Sequence, residues 1–258
     1  MKPNILLVIT DQQRSDTLGH APQGESRTPA LDSLRRHAVT YTNTITPCPL
    51  CGPARASIFT GLYPHQAHGR LGHDPLNLRG DHLVDDGDMM INDSSLLEPP
   101  TLTDRLRAAG YYTGYAGKWH LGNDVIGKWF PDHYGEDNEQ YVSWLEKNGK
   151  PDGWPLHDSE VRSRRPPHMS IPRPKPNPIS YDDANDAWIA DQCIERIEER
   201  PADRPFFVVC GFNGPHPPFK IPEPYFSMFD PDGIREPANF GPQPGEPSSK
   251  STSYYRRL

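Results

Sequence analysis

Cys51 is followed by Gly52, Pro53, Ala54 and Arg55, and this short run holds the strongest chemistry in the chain. Pro53 is expected at the first position of a helix that runs from Ala54 to Thr60 and stops at Gly61. Cys51 would then stand at the positive end of that helix, where free N–H groups can hold an anion. Arg55 falls four residues on and can reach back to the same point. Three further positions carry candidate chemistry. Asp11 directly follows the first apolar run and is well placed to bind a cation. Lys118 and His120 stand two apart, so in extended chain they point to one side together. His216 sits between Pro215 and Pro217 beyond another apolar run, a poor setting for a core residue.

Cys48 and Cys51 also have the spacing of a redox pair or half of a zinc knuckle. Zinc would need two more ligands, and Cys193 and Cys210 stand apart without matching spacing. A thioredoxin-like pair would need its own βαβ setting, which the proline-rich approach does not supply. A buried structural thiol is the plain alternative for Cys48.

Cys51-Gly52-Pro53-Ala54-Arg55 resembles the C-x-P-[SA]-R segment of the sulfatases, and Ala56 to Gly61 resembles the continuation of that family's signature. Gly117-Lys118-Trp119-His120 resembles the second sulfatase signature, and Pro215-His216-Pro217-Pro218 the Pro-His-x-Pro segment. Pro222 and Tyr225 continue the pattern more loosely. The resemblance implies that Cys51 is oxidised to Cα-formylglycine by a formylglycine-generating enzyme. One hydroxyl of its hydrate would attack sulfur, and the other would expel sulfate with help from His120. It further implies that Arg55 holds the hydrate, Lys118 the sulfate oxygens and His216 the leaving group. Asp11, Gln12 and position 51 would ligate Ca²⁺ or another divalent metal. Many members carry Asp-Asp where this chain has Asp11-Gln12; choline-sulfatase-like and phosphonate-hydrolase-like members share the Gln, which still offers a neutral oxygen.

The elements that must position these residues follow an α/β pattern. Asn4 to Thr10 and Phe206 to Gly211 are continuous apolar runs of the kind buried in a parallel sheet, and Tyr111 begins a third strand that exits through Lys118. Thr28 caps a helix opened by Pro29, Thr101 opens one stopped by Gly110, and Asp182 or Asp183 caps one that reaches Arg200. In that last helix Ala187, Ala190, Ile194 and Ile197 share a face. Val39 to Thr46, rich in β-branched residues, is expected as a strand. Residues 70–98 and 230–250 are expected as irregular, and the histidines of 65–68 are unassigned.

The expected fold is the alkaline-phosphatase-like sulfatase fold, a mostly parallel sheet flanked by helices, with its C-terminal part absent. Residues 1–258 form one incomplete catalytic domain, and 123–180, without helical or strand period, form a proline-rich excursion near the site. Sulfatases normally continue to an Asp-His-Gly or Asp-Asn-Gly-like segment that supplies the remaining metal ligands. The function implied is hydrolysis of a small-molecule or saccharide sulfate ester. The alternatives are phosphonate or phosphate ester hydrolysis on the same framework, and a fragment without activity.

A net charge of −7 gives no support to a nucleic-acid role. No apolar run approaches a membrane helix, and Ile5 to Ile9 is too short for a signal-peptide core. Four cysteines without a framework fit a reducing, cytoplasmic setting.

Overall fold

Among the described residues four strands form a parallel sheet, in the spatial order Ile5–Ile9, Phe206–Gly211, Tyr112–Gly117 and His133–Tyr134, which brings the first and last apolar runs side by side. In this computed structural model, residues 2–19, 26–64, 100–121, 123–131, 133–134, 138–151, 174–217 and 219–233 are described. The expectations for 65–68, for 70–98, for most of the proline-rich run and for 234–258 lie outside them.

β1 (Ile5–Ile9) pairs with β5 (Phe206–Gly211), which pairs with β2 (Tyr112–Gly117), and β2 with β3 (His133–Tyr134). β2 and β5 are buried throughout, as their apolar composition requires when helices cover both faces. Alternate residues of β5 divide the core. Phe207 and Val209 join Ala56, Phe59, Tyr115, Trp119 and Phe130 on one face of the sheet. Phe206, Val208 and Cys210 join Tyr141, Leu145, Trp188, Ile189 and Cys193 on the other. The first face is built from stacked and edge-on aromatics, with Phe59 5.4 Å from Trp119 and Tyr115 5.1 Å from Trp119, the distances at which ring edges and faces attract.

Among the described residues the helices are α1 (Pro29–Arg35), α2 (Cys51–Thr60), α3 (Leu102–Ala108), α4 (Asn123–Trp129), α5 (Asn138–Lys147) and α6 (Asn185–Glu198). α3 carries a capping box, Thr101 and Asp104 each bonding the other's backbone N–H. Lys175–Asn177 (β4) and Lys220–Pro222 (β6) form a separate two-stranded parallel sheet.

Several expectations are corrected. Val39 to Thr46 forms no strand: Val39, Tyr41 and Ile45 are exposed and among the described residues no strand pairs with this run, so β-propensity has nothing to act on. The described parts of 123–180 hold α4, α5, β3 and β4 where no regular element was expected. α6 is not capped by Asp182 or Asp183. Ser180 closes a 3₁₀ turn over 181–183, and the helix starts after Ala184. Its buried face is Trp188, Ile189, Cys193 and Arg196, while Ile194 is exposed.

Candidate active site

The carboxyl ends of β1, β5 and β2 open together, and the N-terminus of α2 points at the same place. α2 begins at Cys51 itself, so Pro53 is its third residue, not its first. The missing proline N–H is still harmless there, because the first turn has no internal acceptors. Gly61 ends the helix in the left-handed conformation at φ 69°, as expected.

Asp11 is the centre of the cluster. It is buried, and its backbone N–H donates to Gly214 O at 3.1 Å, tying the end of β1 to the loop after β5. The Cys51 thiol donates to Asp11 Oδ1 at 3.3 Å. Lys118 Nζ lies 2.7 Å and Arg55 Nη2 3.4 Å from Asp11 Oδ2. One ligand atom from each of Asp11, Cys51 and His216 lies within 4.8 Å of the others.

Arg55 is almost fully buried and is held at several points. Its Nη1 donates to Lys118 O at 2.6 Å and to the Tyr115 hydroxyl at 3.2 Å, and the Tyr115 O–H donates to the same Lys118 carbonyl. Tyr115 was not singled out from the sequence, where an aromatic in an apolar strand reads as core. Two glycines make this convergence possible. A Cβ on Gly117, whose φ is 93°, would lie 2.1 Å from Gly211 O, and one on Gly211 would lie 2.8 Å from the Tyr115 hydroxyl.

The electrostatics follow from this packing. Burial pushes the Asp11 carboxyl up, but the hydrogen bond and charge of Lys118, with Cys51 and Arg55, outweigh it and hold the group below its usual range. Burial raises the Cys51 thiol, and Asp11 adds to this against Lys118 and Arg55, so position 51 is not a ready thiolate. Burial and then the Lys118 charge lower His216. His216 Nδ1 faces the Pro217 carbonyl, which can only accept, so the imidazole proton sits on Nδ1 and Nε2 is the free nitrogen. Two basic side chains face one carboxylate, a surplus of positive charge suited to an anionic group.

The remaining candidates are placed differently. His120 is half-buried with φ 63°, so the extended chain that would put it beside Lys118 is broken by a left-handed residue. It is not one of the three ligand-bearing side chains gathered at Asp11. Gln12 also adopts a left-handed backbone, at φ 62°, and is exposed. Left-handed non-glycine residues at two strand exits are the kind of local strain that collects at functional sites. For a hard divalent cation the donor set fits at its anchor, a buried carboxylate. Thiol and imidazole are softer donors, and an oxygen at position 51 would bring the set closer to what calcium takes.

Comparison with known proteins supplies the remaining findings. The sequence profile of the Sulfatase family matches residues 3–257. The ulvan-active sulfatase of Formosa agariphila is 30% identical over 246 residues, covering 94% of this chain and 41% of that protein. The multifunctional alkaline phosphatase superfamily protein PehA of Trinickia caryophylli is 28% identical, covering 92% of this chain and 46% of its own length. The phosphonate monoester hydrolase of Agrobacterium radiobacter superposes with a TM-score of 0.62 at 26% identity over 91% of this chain and 45% of that one. The chain thus spans about half the length of the curated relatives it matches.

Proposed function

The chain belongs to the sulfatase family, and on that premise we propose that its cleft is the nucleophile-bearing part of a sulfuric ester hydrolase site. The observation that carries this reading is Cys51, in the first turn of α2, bonded to a buried Asp11 that is also held by Lys118 and Arg55.

In this reading Cys51 is converted to Cα-formylglycine by a formylglycine-generating enzyme, which gives position 51 an oxygen nucleophile where the raised thiol would be a poor one. Asp11, with position 51 and Gln12, would hold Ca²⁺ or another divalent metal, whose charge would draw in the sulfate oxygens. Lys118 binds a sulfate oxygen with its ammonium once the ester displaces it from Asp11. Arg55 keeps the floor of the pocket in place and adds positive charge. His216 presents Nε2 to the leaving oxygen. The negative charge of a bound ester offsets the Lys118 charge that lowers this imidazole, so His216 can carry the proton the leaving group takes. His120 keeps the role the family resemblance gives it, deprotonating at position 51. The substrate is a small-molecule or saccharide sulfate ester, and the similarity to an ulvan-active sulfatase supports the sulfate class. A reducing, cytoplasmic setting is supported by four cysteines that all stand as free thiols.

A second reading, phosphonate or phosphate ester hydrolysis, is favoured by the resemblance to a phosphonate monoester hydrolase of known structure and by Asp11-Gln12. Turnover of p-nitrophenyl sulfate and of a phenyl phosphonate monoester by the formylglycine-bearing protein, extended through a downstream metal-ligand segment, separates the two. A higher kcat/KM for the sulfate supports the first reading; preference for the phosphonate supports the second.

A further inference from the structure

Asp186, in the first turn of α6, belongs to no motif read from the sequence, yet it holds the loop that carries His216. Its Oδ1 accepts the backbone N–H of Asn213 at 3.0 Å and that of Gly214 at 3.2 Å, and Oδ2 is also 3.2 Å from Gly214 N. The preceding residue, Asn185, accepts from Asn213 Nδ2 at 2.8 Å. A Cβ on residue 214 would lie 2.3 Å from Asp186 Oδ2, so glycine is what lets the carboxylate come so close to the backbone. The carbonyl of the same Gly214 accepts the Asp11 N–H. One carboxylate therefore grips the turn whose other side fixes Asp11 and which delivers His216 two residues later.

Burial raises the Asp186 carboxyl, and the two backbone bonds only partly offset the loss of water. An acid in the first turn of a helix is favoured by the macrodipole, but that preference is met equally by one pointing into solvent. We infer that Asp186 is a positioning residue: through the 213–214 backbone it sets the distance between Asp11 and the His216 imidazole. What His216 then does rests on the sulfuric-ester reading; the clamp itself does not.

Hydrogen exchange read by mass spectrometry tests the clamp on the 258-residue chain. Asp186→Ala should speed amide exchange in 211–217 and at Asp11 by roughly tenfold, the effect of losing a buried hydrogen bond, while β2 and α3 keep their protection. Asp186→Asn keeps the Oδ1 acceptor for Asn213 and Gly214 but sets an NH₂ donor where Oδ2 stood, so exchange should fall between wild type and Asp186→Ala. Gly214→Ala, which pushes the backbone off the carboxylate, should reproduce the Asp186→Ala pattern and serves if that variant fails to fold. Unchanged exchange in 211–217 in both Asp186→Ala and Gly214→Ala would overturn the inference. The catalytic consequence is read on the extended, formylglycine-bearing protein with aryl sulfates of graded phenol acidity. Asp186→Ala should lose kcat increasingly as the leaving phenol becomes more basic, with KM little changed, because those phenols depend on the His216 proton. A loss equal across all phenols would contradict the link to His216. Altered exchange beside a wild-type protein that hydrolyses no sulfate ester would leave the clamp standing and sink the sulfatase reading instead.

Discussion

At the scale of single residues, the site is a small number of charges whose partners are fixed by packing. Lys118 sits 2.7 Å from Asp11 and is the cation free to transfer to a substrate, since Arg55 is already committed to Tyr115 and the Lys118 carbonyl. Lys118→Ala should therefore lower kcat/KM of the active protein by about 10²–10³-fold, as measured by steady-state kinetics. Arg55→Ala should destabilise the fold by about 3–5 kcal/mol in urea titration, because it removes a buried guanidinium that bonds the Tyr115 hydroxyl, the Lys118 carbonyl and Asp11. An Arg55→Ala midpoint equal to that of the wild type would show that its structural role is wrongly drawn. Co-expression with a formylglycine-generating enzyme should convert Cys51 and leave Cys48 untouched, since Leu50 stands where a proline would have to be. Peptide mass spectrometry reads both outcomes. Most of these side chains were legible because their neighbours in sequence are as informative as they are: Pro53 and Arg55 after Cys51, prolines on both sides of His216. Tyr115 and Asp186 were not, because each acts on partners distant in the chain and looks locally like an ordinary core aromatic and an ordinary helix-start acid.

Among the elements, the strands that end at the site were legible as unbroken apolar runs, and β1, β2 and β5 fall within a residue or two of where hydrophobicity puts them. Val39 to Thr46 had equal β-propensity and failed, because a strand needs a partner as well as a composition. α4 and α5 were missed for the opposite reason, their charged and aromatic residues masking a short helical stripe. The contact between strand ends is where packing is least forgiving. Gly117→Ala places a side chain at φ 93° against Gly211 O, and the backbone strain alone costs about 1–3 kcal/mol. The variant should show a lower denaturation midpoint in urea titration. A Gly117→Ala protein as stable as wild type would mean that β2 and β5 do not approach as described.

For the molecule as a whole, β1 is an edge of the sheet among the described residues, and it leaves Leu6 and Val8 about half exposed on the same face that α6 covers over β5 and β2. An apolar edge of this kind favours association, so the 258-residue chain should show a concentration-dependent mass by sedimentation. Calcium takes about six to eight oxygens, and Asp11, Gln12 and a hydrated position 51 supply around half of them. Calorimetric titration should accordingly find weak Ca²⁺ binding to this chain and tighter binding once a downstream acidic segment is added; equal affinity would show that the chain completes its own site. The central claim is that position 51 is the nucleophile of a sulfuric ester hydrolase. It is tested most directly by p-nitrophenyl sulfate turnover in the extended protein, comparing formylglycine at position 51 with Cys51→Ala under the same calcium concentration. Turnover should be present in the first and fall to the uncatalysed background in the second. Comparable turnover in the two would contradict the claim.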